Sequence, residues 1–436
     1  MAADVRPDER KVPELIDTIF ALSSGTPPAA IAVVRISGPR AGTALEILAG
    51  RVPEPRRARL ASLRHRGELL DQALILYFPG PASETGEDVA ELQLHGGRAV
   101  VAAVLAALGS IDGLRAAAPG EFTRRAFENG RIDLSGAEGL ADLLFSETQN
   151  QRRAALALAG GSLARQVEAW QARLLAAAAR VEALLDFSDE GDVGETEPDL
   201  GDVAALAQEW RVWLGRAPAE RLRDGVRVVI AGPTNAGKSS LLNALAGREA
   251  AITSAVAGTT RDLVEAPTAI GGAPFLLVDT AGLRESEDLV ESIGVERARR
   301  SLDSADIILW LGDPGECPDR SRSILVQSKS DLGGRPSDVD VAVSALTGAG
   351  LDRLTDMLIE RARNLLPAEG EVSINARHRA AIAEALAQIE EAIAVADPLI
   401  AAEALRMARR ALDRLTGRAG VEDMLDTLFG RFCVGK

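Results

Sequence analysis

The chain is predicted to be multidomain, with an N-terminal α+β domain, an all-helical domain, and an α/β domain inserted into the helical one. Three observations predict this. The 436 residues exceed what one ordinary core holds. The first 120 or so residues alternate short β-like runs with Gly/Pro turns. Alanine-rich segments with apolar residues three and four apart then lie on both sides of a stretch that alternates apolar strands with helices.

In the N-terminal part, "IAVVRIS" (31–37), "DQALILYF" (71–78) and "VAELQL" (89–94) read as strands, and "GRAVVAAVLAALGS" (97–110) reads as a helix. From about 134 to 187 the pattern is helical, ending in the acidic stretch "SDEGDVGETEPDLGD", read as a solvated loop. A further helical piece covers about 203–222. The α/β stretch follows, with apolar strands "VRVVIA", "APFLLVDT", "ADIILWLGD", "RSILVQSK" and "VDVAVSAL". Helical segments between most of them imply a mostly parallel sheet, with one hairpin turning at Gly271-Gly272. Alanine-rich helices resume after 375. The expected boundaries are 1–125 for the α+β domain, 126–222 and 367–436 for the two parts of the helical domain, and 223–366 for the insert. Two unrelated helical domains are the competing account.

Composition narrows the function. A net charge of −15 argues against general coating of nucleic acid, which needs a positive field. The arginine-rich stretches 405–418 and 51–67 are local positive patches, read as solvated faces. Two cysteines, Cys317 and Cys433, make no disulfide framework and fit a reducing, cytoplasmic setting. Three scattered histidines argue against a histidine metal site. The N-terminal segment has no apolar core of a secretory signal, and no apolar run reaches roughly 18 residues, so no membrane span is expected.

"VVIAGPTNAGKSSLLNAL" contains Gly232-x4-Gly237-Lys238-Ser239 between a strand and a helix. Glycines let backbone N–H groups wrap phosphates. Lys238 supplies a point charge, and the Ser239 hydroxyl is a Mg²⁺ ligand. Asn235, Ala236 and Ser240 share the loop. "VDTAG" places Asp279 at a strand end, near Mg²⁺, with the Gly282 N–H positioned to read a γ-phosphate. "SKSD" brings Ser328, Lys329 and Asp331 to the end of the next apolar strand but one. A carboxylate there accepts guanine N1–H and N2–H, which adenine lacks. "VSAL" adds Ser344 and Ala345, whose backbone N–H groups face the base. In this order, at strand ends, these short motifs together indicate GTP, and the segment resembles the small Ras-like GTPases.

Two departures stand out. Ser328 occupies a position usually held by asparagine, and its single, shorter donor predicts a weaker tie back to the P-loop. Leu283 follows Gly282 where Ras-like proteins have the glutamine that orients water. "SAVAGTTRD" (254–262) is expected to cover the nucleotide, with Thr260 on Mg²⁺; Arg261 reads as an ordinary loop arginine.

"DTIFALSSGTPPAAIAVVRISGP", "TGEDVAELQLHGG", "APGEFTRRAFENGRIDLSGAEGLADLL", "AGTTRD" and the closing "FCVGK" together resemble the MnmE (TrmE) family of tRNA modification GTPases, over nearly the full length. The resemblance implies an N-terminal domain that dimerises and binds a tetrahydrofolate derivative (5-formyl- or methylene-tetrahydrofolate). It implies a homodimer acting with a flavin-containing MnmG (GidA) partner, as a heterotetramer, on C5 of the wobble uridine of certain tRNAs. It also implies potassium-stimulated hydrolysis, with K⁺ held by Asn235 and by the loop around Ser254, Val256 and Thr259. Glu291 matches the residue that positions water, although a carboxylate early in a helix is also favoured by the dipole. Arg35, Glu91, Arg131 and Lys436 match folate contacts, and Cys433 matches a proposed chemical participant or a small buried anchor. Glu84 stands where an aromatic is common. The alternative is a ribosome-assembly GTPase of the Era or Der type, but neither a KH-type Gly-x-x-Gly loop nor a second P-loop is evident. A folate-sensing scaffold with a vestigial GTPase is a third reading.

Overall fold

The structure is a computed structural model that describes residues 17–187, 200–248, 265–280, 299–333, 338–368, 370–418, 425, 428–430, 432 and 434–435. The chain forms two compact units, one of residues 1–137 with 420–436 and the other of residues 138–419.

The first unit is built on a six-stranded sheet. Its strands are β1 (Thr18–Leu22), β2 (Ile31–Ser37), β3 (Arg59–His65), β4 (Glu68–Phe78), β5 (Val89–His95) and β6 (Leu114–Ala116), in the order β3-β4-β5-β2-β1-β6. Neighbours are antiparallel except β1 and β6. Helices α1 (Ala41–Ala49) and α2 (Arg98–Gly109) bury Leu45, Leu48, Val104 and Leu108 in one core with Val34, Ile36, Leu92 and Ile75. Strand β1 is buried on both sides, because Phe20 enters that core while Ile19 and Ala21 pack with Phe122 of α3 (Glu121–Glu128). A strand buried on both faces carries no polar alternation, which is why "TIFAL" gave no period-two signal. The stretch read as a basic patch, 51–67, contains strand β3.

In the second unit the long helical pattern is divided. Helix α4 (Leu134–Leu144), which starts in the first unit, is followed by α5 (Gln149–Ala159) and α6 (Ser162–Phe187). The break before α5 is a capping box in which the Thr148 hydroxyl accepts the Gln151 N–H and the Gln151 side chain answers to the Thr148 N–H. Gly160 and Gly161 break the chain before α6, the latter at φ +75°. Helices α6 and α7 (Gly201–Gly215) pack with two later helices around Trp170, Trp210 and Leu412. The Trp170 ring meets Trp213 edge-on at 5.0 Å, and its Nε1 donates to Glu209 at 2.7 Å.

Between these helices, α8 (Ala219–Asp224) leads into the second sheet. Its strands are β7 (Val226–Ala231), β8 (Glu265–Ile270), β9 (Ala273–Asp279), β10 (Ile307–Trp310), β11 (Ser323–Gln327) and β12 (Val341–Ala342), in the order β12-β11-β10-β7-β9-β8. All pairs are parallel except the β8–β9 hairpin, as its Gly-Gly turn predicts. Helices α9 (Lys238–Arg248) and α10 (Leu351–Arg363) cover it, burying Leu241, Leu354 and Leu358 against Val228, Leu277 and Leu309. The last helices are α11 (Ala376–Ala394) and α12 (Pro398–Thr416).

Candidate functional site

The α/β part concentrates its polar residues at the carboxyl ends of β7, β9 and β11, as expected of an open parallel sheet. After β7 the loop turns through Gly232 (φ +146°), Asn235 (φ +59°) and Gly237 (φ +90°) before α9 starts. A Cβ on Gly232 would meet the Leu311 carbonyl carbon at 3.0 Å, so the loop lies against β10 as only glycine permits. Lys238, 7 % exposed as a residue, reaches back across the loop, and its ammonium donates to the carbonyls of Gly232 (3.1 Å) and Pro233 (2.8 Å). It stands where a phosphate held by the loop would meet a point charge.

Parallel pairing of Ile230 with Asp279 brings the end of β9 beside the start of this loop. The Ser239 hydroxyl donates to the buried Asp279 carboxylate, and the Thr280 hydroxyl donates to Ile230 O at 2.9 Å. A hydroxyl, a carboxylate and phosphate oxygens form the hard-oxygen set that suits Mg²⁺. Among the described residues no group of three or more His, Cys, Asp or Glu is placed to hold a metal.

The base-reading segment is anchored to the phosphate loop at two points. The Ser328 hydroxyl donates to Ala236 O, and Lys329 Nζ donates to Asn235 O at 2.8 Å. The shortened side chain at 328 therefore keeps its contact with the P-loop, because the backbone of Ala236 lies within reach of a serine. Lys329 sits at φ +53°. Ser344 is 1 % exposed; its N–H donates to Ala349 O at 2.9 Å, and its hydroxyl accepts from the Thr347 N–H at 3.1 Å. A pocket of about 310 Å³ opens here, and Gly237, Ser240, Ser328, Lys329, Asp331 and Ala345 all line it. Leu332 and Leu346 line it too, 76 % and 86 % exposed. Sequence reading passed over these two leucines, although apolar side chains in turn segments beside a base-reading aspartate are a usable signal.

The expected residues Ser254, Val256, Thr259, Thr260, Gly282 and Glu291 lie outside the described residues, as do Cys433 and Lys436.

A second polar site lies on the first unit's sheet. Arg35 and Glu91 are direct cross-strand partners, and Arg35 Nε and Nη2 donate to Glu91 Oε1 at 3.1 and 3.0 Å. Arg35 Nη1 meets Glu84 Oε2 at 2.6 Å, and the guanidinium lies 5.9 Å from the Phe122 ring centroid. Arg131 donates Nε to Ser83 O at 3.0 Å, one residue before Glu84. Beneath this loop the buried Arg125 guanidinium meets Asp17, Glu87 and Glu121. Burial alone would raise the Asp17 carboxyl pKa, but hydrogen bonds from Arg115 and Arg125 hold it below its usual value.

The C-terminal segment joins this unit. Phe429 packs on Phe127 with centroids 6.3 Å apart, Val434 forms an antiparallel bridge with Pro119, and Gly435 lies against the end of β1. The positive stretch on α12 is laced with carboxylates, since Arg406 pairs with Glu403, Arg414 with Glu384, and Arg418 with Glu168 at 2.9 Å. Those pairs weaken the field such arginines present to a phosphate backbone. No described helix is long and apolar enough to cross a membrane.

The chain matches the MnmE helical domain family over residues 134–433 and the GTP-binding protein TrmE N-terminus family over residues 18–131. A tRNA modification GTPase MnmE of Rhizorhabdus wittichii is 60% identical over 431 residues, covering 96% of this chain and 97% of that protein. One from Erythrobacter litoralis is 57% identical, covering 97% and 100%. One from Novosphingobium aromaticivorans is 55% identical, with the same coverage of 97% and 100%.

Proposed function

Since the chain belongs to the MnmE family of tRNA modification GTPases, we propose that its GTP cycle serves the folate-dependent modification of C5 of the wobble uridine in certain tRNAs. In this reading it acts in the cytoplasm as a homodimer, with a flavin-containing MnmG-type partner that carries much of the tRNA grip. The domain plan is residues 1–125 for folate and dimerisation, 126–222 and 367–436 helical with a C-terminal tail, and 223–366 for GTP, with the tail segment 420–436 grouped with the first unit. The observation that carries the proposal is the presence, in one chain, of a P-loop tied to a guanine-reading segment and of the separate Arg35–Glu91 site.

In the GTP site, backbone N–H groups of Asn235 to Ser240 wrap the phosphates, and Lys238 leaves its two loop carbonyls to meet the β- and γ-phosphates. Ser239 and Thr260 would hold Mg²⁺, with Asp279 behind Ser239, and Asn235, Ser254, Val256 and Thr259 would hold K⁺; when bound, such cations would supply positive charge opposite the phosphoryl oxygens. Gly282 reads the γ-phosphate and Glu291 positions water. Asp331 accepts from the guanine edge, Lys329 lies along the base, and Ala345 offers its N–H, whereas the Ser344 N–H is held by Ala349 O and shapes the turn. In the first unit, Arg35, Glu91, Arg131 and Lys436 would hold the folate derivative, which supplies the one-carbon unit when bound, and Cys433 would serve either its chemistry or the anchoring of the tail.

GTP turnover in potassium against sodium, together with nucleoside analysis of tRNA from a strain lacking the protein, tests the reading. Faster turnover in potassium and missing C5 modification are expected. Equal rates would remove the potassium role, and normal wobble uridines would remove the tRNA chemistry.

A further inference from the structure

The guanidinium of Arg35 is shared by two carboxylates of different standing. Glu91 is held by strand register, its side chain is 18 % exposed, and one of its oxygens accepts from both Nε and Nη2. Glu84 takes the remaining edge, through Nη1, from a loop, and its side chain is 54 % exposed. The backbone on either side of Glu84 is fixed. Ser83 O accepts from Arg131, Thr85 O accepts from Asn129 Nδ2 at 2.8 Å, and the Thr85 hydroxyl is bonded to Ser37 at 2.7 Å. Glu84 is thus a half-exposed side chain on a pinned backbone, and the trio brings two carboxylates to one guanidinium.

We propose that Glu84 is a displaceable counter-ion that competes with the ligand for Arg35. An acceptor oxygen of the ligand takes the Nη1 edge, and Glu84 swings into solvent without any movement of the main chain. The inference rests on the reading that this unit holds a folate derivative, and adds that residue 84 sets how tightly. An ion pair with one partner half exposed, as here, is worth about 1 kcal/mol, so its displacement costs the ligand a factor of about five.

The test is equilibrium binding of 5-formyltetrahydrofolate to the full-length protein, its E84Q and R35Q variants, and the double variant. E84Q is expected to bind about three- to fivefold tighter, and the double variant to bind as R35Q does. R35K replaces R35Q if the latter fails to fold by thermal unfolding. A pterin lacking the glutamate tail and p-aminobenzoylglutamate lacking the pterin identify which end carries the acceptor oxygen, because the gain in E84Q follows that fragment. Unchanged or weaker binding by E84Q overturns the proposal and leaves the folate reading standing. No binding by the wild type or any variant overturns both.

Discussion

The Ser328 hydroxyl donates to the main-chain carbonyl of Ala236, across 92 positions of sequence, and so ties the guanine-reading segment to the phosphate loop. The contact uses backbone on one side, so its geometry depends on how closely β11 and β7 are held through β10. Replacing Ser328 by alanine leaves that carbonyl without its donor, and a hydrogen bond of this kind contributes about 1 kcal/mol. S328A should therefore weaken GTP and GDP alike, by about fivefold, as measured by titration with a fluorescent guanine nucleotide. A loss confined to GTP would refute the tie.

Lys238 is buried and has its ammonium directed onto the loop carbonyls. Its removal takes away the one side-chain charge on the transferred phosphoryl group from the P-loop. K238A should lower GTP turnover by about a hundredfold or more, as expected for loss of a preorganised charge. Single-turnover hydrolysis checks this.

Asp331 lines the base pocket beside Lys329. Its carboxylate matches two donors on guanine, and an amide there presents a donor where an acceptor is needed. D331N should weaken GTP by about a hundredfold, the scale set by leaving a buried donor unpaired. It should relatively favour xanthosine triphosphate, whose ring offers an oxygen at that edge. Competition between the two nucleotides is the measurement.

Glu138 is the charged centre of the helical body's start. Its oxygens accept from Arg377 Nε and Nη2 at 2.8 Å each, and His378 Nε2 lies 2.7 Å away. Burial alone would raise its pKa, but hydrogen bonds from His378 and Arg377 outweigh that and hold it near about 2, against 4.5 ordinarily. Burial also lowers the pKa of His378. A carboxyl with a depressed folded pKa stabilises fully above its unfolded value, so this contribution is complete above about pH 4.5 and is lost as pH falls toward 2. E138Q should cost on the order of 3 kcal/mol at neutral pH. The variant should also lose less further stability than the wild type between pH 5 and 3. Denaturant unfolding at both values decides it.

Gly435 sits at φ +99°, and a Cβ there would fall 2.1 Å from Leu22 O. G435A should therefore lift the tail from the end of β1. Strain of this kind costs roughly 1–3 kcal/mol, so folate binding should weaken by about tenfold if Lys436 is a contact. Calorimetric titration of the full chain is the check.

Much of the molecule was legible before folding. Gly232 to Ser240 is contiguous, and its strand, its positive-φ turns and its helix are each set by near neighbours, so the phosphate cradle needed no tertiary information. The parallel sheet and its Gly271-Gly272 hairpin followed from apolar runs and turn residues for the same reason. The strands β1 and β3 were not legible. One is buried on both faces and the other is edge-like and charged, so neither shows the alternation that marks a strand. The breaks at Thr148 and Gly160 were hidden inside a continuous apolar stripe, because a capping box interrupts the backbone without interrupting the periodicity.

By itself the sequence determined the chemistry on offer, namely a P-loop, an aspartate at a strand end beside it and paired cationic and acidic residues near the N-terminus. Only the tertiary structure decided which of these meet. Ser328 finds a carbonyl 92 residues away, Arg35 finds Glu91 by register and Glu84 by a pinned loop, and the C-terminal segment joins the first unit. The physical reason is range: propensity and periodicity act over a few residues, whereas hydrogen bonds and ion pairs between distant segments exist only once the cores have fixed the distance between them.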